Sequence, residues 1–141
     1  MHTDFHTSIK SLHLKVTPKR LAILDILAGE PVYVGPEHVW QEMKRRFGKV
    51  GLPTVYRNLE ELERGGLIIR IVHPDRKLYY YFCHNREANH HHHFVCVTCR
   101  RVEDLNFCGL KEIRKEVESG LKGTVIAHLV QVFGLCERCG R

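Results

Sequence analysis

Apolar residues recur at helical spacing in three stretches of the first half of the chain, and two short runs separated by a turn follow them. Leu21, Leu24, Leu27 and Ala28 keep the period of one helix face. Thr17-Pro18 starts that helix with a hydroxyl N-cap and a proline whose missing N–H costs nothing, and Gly29-Glu30-Pro31 stops it. A second helix opens at Gly35-Pro36, carries Val39, Trp40, Met43 and Phe47 on one face, and closes near Gly48. A third follows Leu52-Pro53, with Thr54 as its expected N-cap and Val55, Leu59 and Leu62 inward, and ends at Gly65-Gly66. Leu67 to Val72, a turn at His73-Pro74-Asp75-Arg76, and Leu78 to Phe82 then read as a β-hairpin.

Three short helices and a hairpin, the third helix following a tight turn, describe a winged helix-turn-helix. Residues 84–89 are polar and aperiodic, which places a linker there, between a winged-helix domain at 1–83 and a second domain at 90–141. In that second domain Phe94–Thr98, Arg101–Phe107 and Thr124–Phe133 read as strands, and Leu110, Ile113 and Val117 mark a helix. The expected fold class is α+β, with a small C-terminal α/β domain joined to the winged helix.

Of the 141 residues 43% are hydrophobic, enough for a core and incompatible with wholesale disorder. No apolar run nears the roughly 20 residues of a membrane span, and the start lacks the basic and apolar segments of a secretory signal. A soluble cytoplasmic protein without a membrane partner is therefore expected. In a reducing compartment the six Cys are poor disulfide candidates and good metal-ligand candidates. The net charge of +6 permits nucleic-acid binding without establishing it, and most of the excess lies in residues 1–82.

On the third helix Tyr56, Arg57, Asn58, Glu60 and Glu61 are the expected exposed positions. Arg and Asn can make forked hydrogen bonds to base edges, Tyr can contact a phosphate or a thymine methyl, and the helix start around Thr54 attracts phosphate. Lys15, just ahead of the Thr17 cap, is placed to reach an adjacent minor groove. The competing reading of these residues is a solvated helix face.

Two CxxC pairs, Cys96-Val-Thr-Cys99 and Cys136-Glu-Arg-Cys139, are separated by 36 residues. Each tight turn aims two sulfurs at one ion, and together they make a tetrahedral site of four sulfurs suited to structural zinc, closed to chemistry. A redox CxxC needs only one pair, at a helix start. The run His90-His91-His92-His93 precedes the first pair. In a strand, His91 and His93 would face one way and His90 and His92 the other, so one run can serve two metal sites. Partners available to them are Cys83, Asp104, Glu103, Glu112, His73 and His128; a solvated His-rich loop is the alternative. Cys108 reads as ordinary packing.

The residues Val16-Thr17-Pro18-Lys19-Arg20, Thr54 to Leu59, HHHHFVCVTC from His90 to Cys99, and Gly134 to Cys139 resemble the ferric uptake regulator superfamily over nearly the whole chain. That resemblance implies a homodimer with an N-terminal winged helix and a C-terminal dimerisation domain. It implies binding to an AT-rich inverted repeat of double-stranded DNA when a divalent metal is loaded, usually with repression of transcription. It assigns Tyr56 and Arg57 to the recognition helix, Lys15 to the minor groove, and Cys96, Cys99, Cys136 and Cys139 to structural zinc. It matches His91, His93 and Asp104 to a regulatory site, and His90 and His128 to a further one, for which His92 and Glu112 are neighbouring candidates.

The sequence also departs from the family pattern. Tyr33 stands where iron-type members place a loop histidine, Lys111 where the further site has a carboxylate, and His92 where many iron sensors have Asp. Cys83, after the wing, is a candidate fourth ligand of the regulatory site, and a thiolate favours zinc over ferrous iron. The second metal is thus Zn2+ or Fe2+, with peroxide- and manganese-sensing members as alternatives within the family. Outside it stand a metal-storage protein, a zinc-ribbon adaptor and a zinc enzyme; with no HExxH, nucleophile motif or Gly-rich phosphate loop, no enzymatic activity is expected.

Overall fold

A helix precedes those that the periodicity predicts. In the computed structural model, which describes residues 4–84 and 92–140, α1 spans Phe5–Ser11. The Asp4 carboxylate caps it by accepting the Thr7 N–H at 3.1 Å. At two turns the helix is too short for its spacing to register as a pattern, yet its Ile9 is fully buried.

Next come α2 (Pro18–Ala28), α3 (Pro36–Phe47) and α4 (Leu52–Arg64). Thr17 caps α2 as expected, accepting from the Arg20 N–H at 3.2 Å. Thr54 does not cap α4. Gly51 holds that position without a side-chain bond, and Leu52 and Pro53 form the first turn, where proline's missing N–H is no loss. Trp40 Nε1 donates to the Val50 carbonyl at 2.7 Å and fixes the turn between α3 and α4. Gly48, at φ 77°, ends α3 in a conformation that a side chain would strain.

The wing is β1 (Ile69–Val72) paired antiparallel with β2 (Leu78–Tyr81), from Ile69 opposite Tyr81 to Val72 opposite Leu78. Val34 bridges to Tyr80 and ties the wing to the segment after α2. Ile23, Leu24, Leu27, Val39, Met43, Leu59, Leu62 and Ile68 fill one continuous core.

The chain divides into two compact units, Met1–Asn85 and Arg86–Arg141, with the division inside the stretch 84–89. In the second unit β3 (His92–Cys96) pairs antiparallel with β4 (Val102–Leu105) and parallel with β5 (Gln131–Gly134), giving the order β4-β3-β5. Helix α5 (Leu110–Lys115) continues into one turn of π-helix, Glu116–Gly120. The expected strand Thr124–Phe133 is realised only at its end. His93 pairs with Gln131, so residues before Val130 would need partners before His92, which lie outside the described residues.

This unit buries few apolar side chains; among its described residues they are Val95, Cys96 and Cys136, beside His92 and His93. Ile126 is 96% exposed, Phe107 76% and Leu121 73%. Among the described residues no helix is long and apolar enough to cross a membrane.

Candidate metal centres and nucleic-acid interface

Parallel pairing assembles the four-cysteine centre. Because β3 and β5 run the same way, with Cys96 opposite Gly134, their C-terminal ends lie together and both CxxC turns leave from the same edge. The Val97 N–H donates to the Gly134 carbonyl at 2.9 Å, and the Cys139 and Gly140 N–H groups close the second turn on the Cys136 carbonyl at 3.0 and 2.8 Å. All four sulfurs lie within 4.8 Å of one another. Tetrahedral zinc with Zn–S near 2.3 Å requires sulfurs about 3.8 Å apart. Cys99 and Cys136 are at 3.7 Å, so the residues present fit zinc.

The electrostatics agree with that fit. Backbone N–H groups of Cys99 and then Cys136 pull the Cys96 thiol down to about 6. Those of Cys139 chiefly lower Cys136, while Cys139, hydrogen-bonded to the Cys136 sulfur, is pushed up to about 12. Binding a cation requires such thiols to be deprotonated.

His92 and His93 are adjacent on β3 and therefore face opposite sides of the sheet. His93 stands directly across the ladder from Asp104 on β4, with Nε2 and Oδ1 3.6 Å apart. His92 instead meets Cys108 and His128. Cys108, read from the sequence as packing, is thus the residue that joins these two histidines. Glu112 lies exposed on α5 and is not in that group. His90 and His91 lie outside the described residues. Cys83 is half-buried two residues beyond β2 in the first unit. Tyr33 is buried in the wing's aromatic packing, 4.8 Å from Tyr79 and 5.7 Å from His73 between ring centroids. His38, five residues after Tyr33 in the sequence, pairs with Glu30 at 2.7 Å.

On α4, Arg57 and Tyr56 are exposed. Asn58 is not: it is 8% exposed and its Nδ2 donates to the Thr54 carbonyl at 3.0 Å. The inward stripe of Val55, Leu59 and Leu62 turns position 58 toward the core, so its amide serves its own helix. Thr17, Lys19, Arg20, Thr54, Arg57 and Asn58 line a cleft of about 270 Å³ at the start of α4.

Sequence reasoning missed what Arg20 does. It donates to the Lys15 carbonyl at 2.7 Å and forms an ion pair with Glu61 on α4. It therefore fastens the segment that carries the exposed Lys15 to the helix that carries Arg57. No local spacing signals this, because the partners are 41 residues apart.

Residues 11–133 match the model of the ferric uptake regulator family. The ferric uptake regulation protein of Staphylococcus epidermidis is 31% identical over 133 residues, 94% of this chain and 91% of the relative. The peroxide stress regulator of Campylobacter jejuni is 28% identical, with TM-score 0.60 over 97% of this chain and all of that one. A zinc uptake regulator solved with zinc and DNA is 20% identical, with TM-score 0.79 over 96% and 90%, a likeness of fold. With the match running across both units, the chain belongs to the ferric uptake regulator family.

Proposed function

We propose that this chain is a cytoplasmic, homodimeric repressor that binds an AT-rich inverted repeat of double-stranded DNA when a divalent ion fills its regulatory site. Membership of the family makes it a metal-responsive transcriptional regulator. The observation that carries the DNA-binding reading is the cleft at the start of α4, where Lys19 and Arg57 converge beside Thr17 and Thr54. In this reading Arg57 and Tyr56 reach base edges, Thr54 and the helix start hold a phosphate, and Lys15 enters the minor groove. Asn58 has no part in it.

The dimer is supported by the second unit's exposed apolar residues, Phe107, Leu121, Ile126 and Leu129 among them. A unit of this size buries too little on its own and needs metal or a second chain. Cys96, Cys99, Cys136 and Cys139 would hold permanent zinc. His91, His93 and Asp104 would hold the sensed ion, with Cys83 as the ligand that favours zinc over iron. The protein acts by binding and catalyses no reaction.

The test is fluorescence anisotropy on an AT-rich inverted-repeat duplex, the structural zinc retained and free Zn2+ or Fe2+ buffered anaerobically in parallel. Binding should be salt-sensitive, lost with chelator and restored by zinc at far lower free concentration than by iron. Affinity indifferent to chelator would overturn the sensor reading, and activation by iron alone would overturn the role of Cys83.

A further inference from the structure

The loop at the tip of the wing carries a residue that its backbone does not favour. The His73 N–H donates to the Lys77 carbonyl at 3.2 Å and the Arg76 N–H to the His73 carbonyl at 2.9 Å, so Pro74, Asp75 and Arg76 form a three-residue hairpin loop. Proline suits the first position of such a loop, and the third turns left-handed and ordinarily takes glycine. Here the third position holds Arg76, at φ 71°. A long cationic side chain is kept where glycine would be unstrained, a local cost of the kind that collects at binding surfaces.

The acidic residue beside it is occupied within the wing. The Asp75 carboxylate accepts from the Tyr79 hydroxyl at 2.6 Å and from the Lys77 N–H at 2.8 Å, and the Asp75 N–H donates to His73 Nδ1 at 3.0 Å. Tyr33 and His73 pack on the Tyr79 ring, with centroids 4.8 and 5.2 Å from it. Arg76 and Lys77 are exposed and form no ion pair among the described residues. Arg20, Arg45 and Arg46 of the same unit, by contrast, are paired with Glu61, Glu42 and Asp25. Tyr80, buried on β2, feels the charges of Glu60 and Glu63 on α4, so the hairpin runs close to that helix.

We propose that Arg76 and Lys77 at the wing tip grip the phosphate backbone of duplex DNA, with Asp75 and Tyr79 as the positioning residues that hold the loop. This rests on the DNA-binding reading above and adds to the α4 contacts a grip that is indifferent to sequence. Two unpaired cations on a braced loop suit phosphate, which is met at every nucleotide and demands no base-edge pattern. The Arg76 guanidinium can fork onto two phosphate oxygens, and Lys77 meets another as a point charge.

The test is fluorescence anisotropy over a salt series, with buffered Zn2+, on an AT-rich inverted-repeat duplex and on a scrambled duplex of the same length and composition. Each phosphate contact contributes about 0.9 to the slope of log affinity against log salt, so Arg76→Gln with Lys77→Gln should lower the slope by about 1.8 per bound chain. The same pair should weaken both duplexes by one common factor. Arg76→Lys with Lys77→Arg keeps both charges and should keep the parent's slope. Tyr79→Phe, which releases one Asp75 oxygen, should weaken both duplexes severalfold with the slope unchanged. A slope unaltered by the glutamine pair, in a parent that binds, would overturn the wing contact and leave the DNA-binding reading standing. So would a loss confined to the inverted repeat, which would make these side chains readers of bases. A parent that binds neither duplex would overturn both readings.

Discussion

Replacing Arg20 with methionine keeps the aliphatic stem and removes two bonds at once. The first is the hydrogen bond from Nη1 to the Lys15 carbonyl, at 2.7 Å; a bond from a charged donor contributes about 1.5–3 kcal/mol. The second is the ion pair with Glu61, whose side chains are 14% and 30% exposed. Glu61 can rehydrate when its partner goes, which holds the pair near the upper end of surface values, about 1 kcal/mol. Together the loss is about 2–4 kcal/mol of the first unit's stability, and at about 4–8 °C per kcal/mol for a domain of this size the midpoint should fall by about 8–32 °C. Glu61→Gln should cost about 1 kcal/mol, with a coupling of similar size in the double-mutant cycle. DNA affinity should fall too, because the Lys15 segment is no longer held to α4. Arg20 is occupied by Glu61 and the Lys15 carbonyl, so the salt dependence of binding should keep its slope. Thermal melts and anisotropy across a salt series measure both. A midpoint within about 2 °C of the parent, or a slope reduced by about one counterion, would show that Arg20 is a phosphate contact and not a brace.

Arg57→Ala should weaken operator binding by about 1–3 kcal/mol and relax base preference at one position, as measured with single-base operator variants. Asn58→Ala should instead lower stability by about 1 kcal/mol in urea melts, with base preference unchanged. Chelation of zinc from the four-cysteine centre should melt the second unit while the helical signal of α2–α4 survives, since such sites contribute on the order of 10 kcal/mol to folding; circular dichroism that falls in one global step would refute this. Asp75 sits in the wing turn, where partial burial raises its pKa. The Tyr79 hydroxyl at 2.6 Å, the Lys77 N–H at 2.8 Å and His73 together outweigh this and hold it below 3.8. A depressed folded-state pKa stabilises above the unfolded value and ceases to as pH falls through the folded one. The melting difference between parent and Asp75→Ala should therefore be constant from neutral pH to about 5 and shrink below 3.8, and a gap that widens on acidification would contradict it.

The parts legible in the sequence were those written in local spacing. The Thr17-Pro18 cap, the α2, α3 and α4 faces, the hairpin and the two CxxC turns each declare themselves within a dozen residues. Alternation along β3 also let the opposite facing of His92 and His93 be expected. What stayed hidden depended on pairing across the chain. Arg20 and Glu61 meet over 41 positions, and Cys108 reaches His92 and His128 over 16 and 20. Thr54 failed as a cap because Gly51 and Pro53 satisfy the same requirement one turn earlier. Asn58 failed as an exposed position because a polar residue one step from the apolar stripe can bond its own helix, and spacing does not report which way it turns.

The two units are stabilised by different means, and the difference bears on how a metal could act through this chain. The first fills a continuous core from four helices and a hairpin, with Ile23, Leu24, Leu27, Met43, Leu59 and Ile68 almost wholly buried. A core of that kind folds by apolar burial, so the recognition helix would keep its shape in either metal state. The second unit has almost no such core among its described residues. Its strands instead bring ligand side chains together, four sulfurs at one end of β3 and β5 and the side chains of His92 and His93 on opposite faces of β3. For a unit of that kind, binding free energy is folding free energy, so ion occupancy sets how rigidly its sheet and its apolar surface are held. In the proposed repressor, a chain built this way would confine the metal's effect to the unit proposed to pair the two chains. The DNA-reading unit would stay folded, and the ion would change the geometry in which two copies of it are offered to the proposed operator.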